Sequence, residues 1–294
     1  ETKDHVTICV ESKERTWELM IYPVVGGFRM IAGKKGFFDG KPEAFSMEES
    51  EHAYIIRSKE HEMILQKETL EISIDRKAIT NLKNISFIFE KESVSASRIQ
   101  FSIHENSAIY GFGERFDSVN QYGKTVALWQ RDACEGCLAS IGNQAYKNIP
   151  LVHTSDGFSF FANTSYRMRM DVGDAVQDYL SVEALGDVFD FYIWSGTPRE
   201  AMTAYGTLTG LPIFPPEWVF EPWAGGGGGR WRNGPLQDIA LEQMAAMKKF
   251  HELDIPHSGF YAEGAGATFY GEYKKEELYK VVSFGERHGF KVFS

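Results

Sequence analysis

The sequence predicts a multidomain chain, β then α/β: an N-terminal antiparallel β-sandwich followed by strands alternating with helices, as in a parallel sheet or barrel. Three observations carry this. Over residues 6–190 short alternating apolar runs recur between turn residues, with hardly a helical period among them. From residue 236 onward apolar residues recur at helical spacing, with short strands between those stretches. Between the two regions lies a proline-rich stretch, residues 205–223. Pro212, Pro215 and Pro216 lack an amide hydrogen and press the residue before each toward an extended conformation. This stiff connector is expected to join a sandwich domain of residues 1–212 to a second domain of residues 213–294.

In the first region, residues 53–57, 71–74, 85–90, 99–103, 158–161 and 188–193 either alternate apolar with polar residues or form ring-rich runs bounded by turn residues. Many short strands at this spacing predict a large antiparallel sandwich. Thr197-Pro198-Arg199-Glu200 then reads as a helix start, with Thr197 as N-cap, Pro198 at the first helical position and Glu200 completing a capping box. Trp218, Val219 and Phe220 are expected in a buried strand running to Trp223. Residues 236–253 form a helix with Ala240, Met244, Met247 and Phe250 on its apolar face, followed by a strand at 259–262. A second helix spans 274–288, with Leu278, Val281, Val282 and Gly285 on one face and Gly289 as its C-cap; a third strand opens at 290–293. Two βα units and part of a third cannot close an eight-stranded barrel, so the chain is expected to be part of a longer one.

Composition narrows the function classes. The chain has 294 residues, 43% hydrophobic and 14% aromatic, enough for two domains with a sizeable core. A net charge of -10 argues against phosphate-backbone binding, so no nucleic-acid partner is expected. No apolar run approaches the roughly 18–20 residues of a membrane span, so no membrane partner is expected either. Nothing in the sequence speaks against a homo-oligomer. Cys134-Glu135-Gly136-Cys137 is a lone Cys-x-x-Cys with no second pair to complete a metal site, and no cofactor is implied. Asn84-Ile-Ser86 and Asn163-Thr-Ser165 fit the glycosylation pattern without fixing a compartment.

In parallel βα architectures, functional groups sit where strands run into their following loops. The first such loop holds five glycines, 225–229, then Arg230, Trp231 and Arg232. Its backbone can approach a ligand closely, and Arg230, Trp231 and Arg232 supply donors and a stacking face. A phosphate loop and a lid without ligand contact are the competing readings. The second loop carries Glu263 among small residues, where a carboxylate can accept two sugar hydroxyls; an ordinary solvated charge is the alternative. A third segment mixes Gly, rings and opposite charges: Gly111-Phe112-Gly113-Glu114-Arg115-Phe116, Trp129-Gln130-Arg131-Asp132 and Tyr146-Lys147-Asn148-Ile149-Pro150. It suits a long loop packed on another domain, or a structural pairing of Glu114 with Arg115 or Arg131 with Asp132.

At these residues the chain resembles glycoside hydrolase family 31, the α-glucosidase and α-xylosidase family. The glycine segment resembles the family's Gly-x-Gly-Glu-Arg/Lys-Phe, the second its Trp-x-x-Asp, and the third its Tyr-Lys-x-Ile-Pro. Residues 196–200, 205–210 and 215–218 resemble the helix and linker that enter its barrel. The resemblance implies an N-terminal β-sandwich followed by the first strands and helices of a (β/α)8 TIM barrel, without a cofactor, acting on α-linked oligosaccharides with retention. It implies that Asp132, beside Arg131, lies on a sandwich loop at the barrel mouth and binds a sugar hydroxyl. Glu263 falls where the family usually has Asp in an Asp-x-Asp-aromatic motif. The longer carboxylate, the missing aromatic and the polyglycine loop imply a reshaped or enlarged sugar pocket. Substrate binding is therefore expected at Arg131, Asp132, Trp223, Trp231 and Glu263. Both catalytic Asp residues are expected beyond Ser294, so no catalytic residue is assigned within the chain. Hydrolysis and glycosyl transfer remain equivalent readings. A non-catalytic carbohydrate-binding module and a phosphate-binding βα protein are the alternatives.

Overall fold

The computed structural model describes residues 5–11, 16–33, 43–90, 93–130, 145–225, 236–262 and 275–293. It divides into two compact units, Glu1–Leu211 and Pro212–Ser294.

The first unit opens with β1 (Val6–Glu11), β2 (Thr16–Val24), β3 (Gly27–Gly33), β4 (Ser46–Glu49), β5 (Ala53–Arg57) and β6 (Glu62–Gln66). Next come β7 (Glu71–Ile74), β8 (Lys77–Glu90), β9 (Ser93–Ser102), β10 (Ile109–Gly113) and β11 (Lys124–Leu128). The last strands are β12 (Asn148–Thr154), β13 (Phe158–Ala162), β14 (Met168–Val172), β15 (Tyr179–Leu185) and β16 (Val188–Ser195). They form two sheets, ordered β1-β2-β3-β16-β13-β12-β10 and β11-β14-β15-β9-β8-β7-β6-β5-β4. Neighbours pair antiparallel, as in β15 on β9 (Val182 opposite Ile99) and β16 on β3 (Phe191 opposite Met30). Residues 53–57 and 71–74 are strands with the expected bounds, and the other expected runs fall within or largely within β8, β9, β13 and β16.

Alternation explains the packing. In β15, Leu180, Val182 and Ala184 enter the core, while polar Ser181 and Glu183 alternate with them, and Ser181 Oγ accepts from Gln100 Nε2 at 2.9 Å. Both sheets feed one core that includes Ile21, Phe28, Met30, Ile99, Met170 and Val182. Phe101 of the nine-stranded sheet bridges it, with ring centroids 4.6 Å from Phe160 and 6.0 Å from Phe191 of the other sheet. β16 is buried on both faces. Phe189, Phe191 and Ile193 enter the core, while Tyr192 and Trp194 pack with Ala201 and Ala204 of α1 (Pro198–Thr209). That double burial is why residues 188–193 read as a ring-rich run rather than as strict alternation. The capping box at α1 has both of its bonds: Thr197 Oγ1 accepts from the Glu200 amide, and the Glu200 carboxylate accepts from the Thr197 amide at 2.7 Å.

The second unit corrects one expectation. Glu217–Phe220 is a 3-10 turn rather than a strand, and none of its residues is buried. Pro216, at φ -65, feeds the turn, and its carbonyl accepts the Val219 amide at 3.0 Å. Proline's fixed φ suits such a turn as well as it suits an extended chain, and Glu217 can follow either path. The strand itself, β17 (Trp223–Gly225), starts only after Pro222. α2 (Leu236–Glu252), β18 (Gly259–Tyr261), α3 (Lys275–Arg287) and β19 (Lys291–Phe293) follow. β17, β18 and β19 pair in parallel in that order. One side of this sheet packs Ala224, Phe260 and Val292 against Ala240 and Met247 of α2 and Val281 of α3. Gly285 permits the close approach, since a Cβ there would lie 2.2 Å from Val292 Cγ2. On the other side Phe293 makes ring contacts with Trp223 (5.0 Å) and Tyr261 (4.9 Å).

Candidate functional site

The glycine-rich segment is built around an unusual backbone. Gly111, Phe112 and Gly113 have φ of 112, 67 and 82, three left-handed residues in succession. Their strand, β10, shifts register against β12 between Gly111 and Gly113, a β-bulge. Both glycines are required by close approach: a Cβ on Gly111 would stand 2.2 Å from the Leu151 carbonyl oxygen, and one on Gly113 2.0 Å from that of Lys147. Phe112 is held in this conformation by its fully buried ring. A left-handed residue costs about 1–2 kcal/mol, which burial of a phenylalanine offsets at about 1.5–3 kcal/mol.

The bulge turns Arg115 back into the protein. Its Nη2 donates to Asn148 Oδ1 at 2.5 Å and to the carbonyls of Phe112 and Ala127 at 3.3 Å. Its Nε and Nη1 are buried and have no hydrogen-bond partner among the described residues. Burial pushes the guanidinium below the ordinary arginine range, against the attraction of Asp117. Asn148 in turn donates from Nδ2 to the Ala145 carbonyl (2.9 Å) and to Gln130 Oε1 (3.2 Å). Gln130 and Ala145 also form an isolated parallel bridge. One buried cation thus organises the residues flanking segment 131–144. The alternative pairing of Arg115 with Glu114 is replaced by this arrangement. Glu114 instead faces Lys147 at 3.8 Å.

Asp117 anchors the end of the same segment. It accepts from Lys124 Nζ (2.7 Å), Gln121 Nε2 (3.0 Å) and the Ser118 amide (2.7 Å). Burial pushes its carboxyl up, but these donors outweigh it and hold the group at about 2. A depressed carboxylate stabilises the fold above its unfolded value and loses that contribution as pH falls through its folded value. Urea unfolding of the wild type and Asp117→Asn should therefore differ by on the order of 1 kcal/mol near neutral pH, after solvent screening of a side chain one-third open. The difference should shrink between roughly pH 4 and pH 2. A difference independent of pH would exclude this role for the carboxylate.

Beside Asn148 opens a cavity of about 390 Å³ between the starts or ends of β11, β12 and β14. Trp129, Gln130, Asn148, Thr164, Ser165 and Tyr166 are among its lining residues, and none of the described lining side chains is charged. Trp129 and Tyr166 are 54% and 62% exposed, unlike the buried rings of the core.

Of the residues expected to bind substrate, Trp223 is described. It begins β17, packs over Gly259 and against Trp218 (5.3 Å) and Phe293, and donates its Nε1 to the Val219 carbonyl at 3.2 Å. Arg131, Asp132, Trp231 and Glu263 lie outside the described residues, as do Cys134 and Cys137. The segments carrying Trp231 and Glu263 follow the C-terminal ends of the parallel strands β17 and β18. Asn148 was visible in the sequence inside the Tyr-Lys-x-Ile-Pro segment. Tyr166 carried no signal, because its place beside Trp129 depends on pairing of β14 with β11 (Met168 opposite Leu128).

Residues 11–171 match the glycosyl hydrolase 31 N-terminal galactose mutarotase-like domain. The chain is 34% identical over 166 residues to alpha-xylosidase XylQ of Lactiplantibacillus pentosus, covering 56% of this chain and 21% of that protein. It is 25% identical over 226 residues to a 1,3-alpha-isomaltosidase of Kribbella flavida, covering 72% of this chain and 29% of that one. It therefore spans under a third of these relatives' length. Among solved structures, a Flavobacterium johnsoniae GH31 dextranase complexed with isomaltotriose superposes with a TM-score of 0.74 at 20% identity, covering 99% of this chain and 38% of that one. The cycloalternan-forming enzyme of Listeria monocytogenes, in complex with a pentasaccharide substrate, gives 0.77 at 16% identity, covering 99% of this chain and 31% of that one. These two likenesses speak to the fold alone. With the family's N-terminal domain matched over more than half of its residues, the chain belongs to glycoside hydrolase family 31, a family of α-glycosidases.

Proposed function

We propose that the chain is the N-terminal part of a retaining α-glycoside hydrolase or transglycosylase, α-glucosidase-like, acting on α-linked oligosaccharides. The observation that carries this reading is the family match across residues 11–171. The names of the relatives support the substrate class: a xylosidase, an isomaltosidase, and enzymes seen with isomaltotriose or a pentasaccharide. Residues 1–212 are read as the sandwich domain and residues 213–294 as the beginning of a (β/α)8 barrel. The parallel order of β17, β18 and β19, with helices packed on one side and rings clustered on the other, supports the barrel reading.

In this reading Arg131, Asp132, Trp223, Trp231 and Glu263 bind sugar, and none breaks a bond. Retention needs a nucleophilic carboxylate and an acid/base carboxyl about 5–5.5 Å apart, both beyond residue 294. Asp132 would hold a sugar hydroxyl by a charge-assisted hydrogen bond. The complete protein should then hydrolyse p-nitrophenyl α-glycosides or α-linked disaccharides with the α-anomer as first product, read by NMR. Asp132→Ala should lower kcat/KM by about 10–100-fold. Inertness of the complete protein toward every α-linked substrate would leave only a sugar-binding role for the sandwich, a second reading favoured by the exposed Trp129 and Tyr166 rings at a cavity whose described lining side chains carry no charge.

A further inference from the structure

We propose that β1 is a docking edge for a second copy of this chain, the two β1 strands pairing antiparallel about a two-fold axis at Ile8. An edge strand presents a row of unpaired amides and carbonyls, and folded proteins blunt such rows with charge, proline, bulges or cover. Of the four edges of the two sandwich sheets, three are blunted. β10 carries the bulge at Gly111–Gly113. β4 has four residues, all exposed, with Glu48 and Glu49 in ion pairs with Arg57 and Lys67. At β11 the Ala127 carbonyl already accepts from Arg115. β1 has none of these devices. It runs Val-Thr-Ile-Cys-Val-Glu in unbroken register with β2, without proline and without a charge before Glu11. Among the described residues, no hydrogen bond reaches its outer side.

The phase of β1 fixes what that side offers. Pro23 of β2 gives its carbonyl to the Glu43 amide at 3.1 Å, outside the β2–β3 pair. Alternate residues of a strand turn the same way, so Ile21, Leu19 and Trp17 also bond away from β3. Their partners across the ladder are Val6, Ile8 and Val10. Thr7 and Cys9 are left with amide and carbonyl pointing outward, and both residues are exposed. Val6, Ile8 and Val10 pack on the core, where Ile8 and Val10 are only partly buried. A pairing that keeps both apolar faces on one side must set its axis at a residue rather than between two, and Ile8 gives the longest overlap. Thr7 then exchanges both backbone hydrogen bonds with Cys9 of the second copy, twice by symmetry, while Val6 meets Val10 and Ile8 meets its symmetry mate. The edge is thus complementary to itself, and a second copy is the occupant that it fits. One strand pair buries well below the roughly 1,200 Å² of a stable interface, so association is expected at micromolar concentration.

The purified chain is measured by sedimentation equilibrium from about 5 to about 200 µM, where its average mass should rise from the monomer toward the dimer value. Thr7→Pro removes only an outward amide, which an edge strand tolerates. It should melt near the wild-type temperature and weaken association at least tenfold. Should that variant not fold, Thr7→Lys with Cys9→Lys tests the same edge, because both residues are exposed and pairing would set lysine against lysine. The register has its own readout. In a chain carrying Cys134→Ser and Cys137→Ser, Thr7→Cys should give a covalent dimer on mild oxidation. Opposite residues of a hydrogen-bonded pair stand about 5.5 Å apart, within disulfide reach. Cys9 alone, offset from its mate, should cross-link far less. A monomer at about 200 µM overturns the proposal, as does association unchanged in both Thr7→Pro and the double variant. Association without the Thr7→Cys cross-link places the contact elsewhere and overturns it too. Slow exchange of the Thr7 and Cys9 amides in a monomer would show instead that another segment of the chain covers this edge.

Discussion

Gly113→Ala is expected to destabilise the sandwich by about 3–5 kcal/mol, among the largest losses a single methyl group can cause in this chain. Two terms combine. The residue sits at φ +82, where an L-residue costs about 1–2 kcal/mol. The new Cβ would also stand 2.0 Å from the Lys147 carbonyl oxygen and 2.6 Å from the Ile149 amide nitrogen. Both are backbone atoms of the partner chain segment, so no side chain can swing aside. Relief requires β10 to move off β12, breaking contacts such as the Glu114 amide to the Lys147 carbonyl at 2.8 Å. Gly123→Ala supplies the control. Its φ is +77, but nothing lies within 4 Å of its built Cβ, so it should lose only about 1 kcal/mol. Urea unfolding of both variants separates strain from clash. Equal losses would mean that the close approach of β10 to β12 carries no weight.

The second large effect is expected at Asp190. Arg29 Nε and Nη2 donate to its two carboxylate oxygens at 2.8 and 2.5 Å, and Asn163 Nδ2 donates to Oδ2 at 2.6 Å. The two side chains of the pair are only 11% and 15% exposed. Burial pushes Arg29 down, but the bonds and charge of Asp190 overcome this and hold it above its ordinary value. That contribution is fully present below the ordinary arginine range, so the pair should be insensitive to pH near neutrality. Asp190→Ala leaves the guanidinium desolvated without its counter-charge and should lose about 3 kcal/mol. The loss is at the lower end of the buried-pair range because the Tyr22 and Tyr192 rings, 5.4 and 5.3 Å away, still attract the cation. Replacing both partners, Arg29→Met with Asp190→Leu, should recover more than half of that loss, since no charge is then stranded. A single variant within 1 kcal/mol of the wild type, judged by the same unfolding assay, would show the pair to be solvated.

Much of the architecture was legible because it follows from local rules. Leu180, Val182 and Ala184 alternate with polar neighbours, and a period of two has one reading on a half-buried strand. Thr197 and Glu200 satisfy each other within one turn, so their capping box needs no tertiary help. Residues 217–220 were misread because Trp218, Val219 and Phe220 are apolar, while the proline dihedral before them suits a turn and a strand alike. The alternative pairing of Arg115 with Glu114 fails for a different reason. Glu114 has the right charge, but the bulge at Gly111–Gly113 sends the two side chains apart.

What the sequence determined by itself is the order of strands and helices, the segments that carry the family likeness, and the acidic, ring-rich character that suits a neutral sugar better than a phosphate. Periodicity, capping and composition are properties of residues near one another in the chain. What only the tertiary structure decided is which distant residues share a site. Arg115, Gln130, Asn148 and Tyr166 are separated by tens of residues, and only the β10–β12 bulge and the β11–β14 pairing bring them together. The orientation of each amide then follows from a hydrogen-bond chain that starts at a buried cation, which no local pattern encodes.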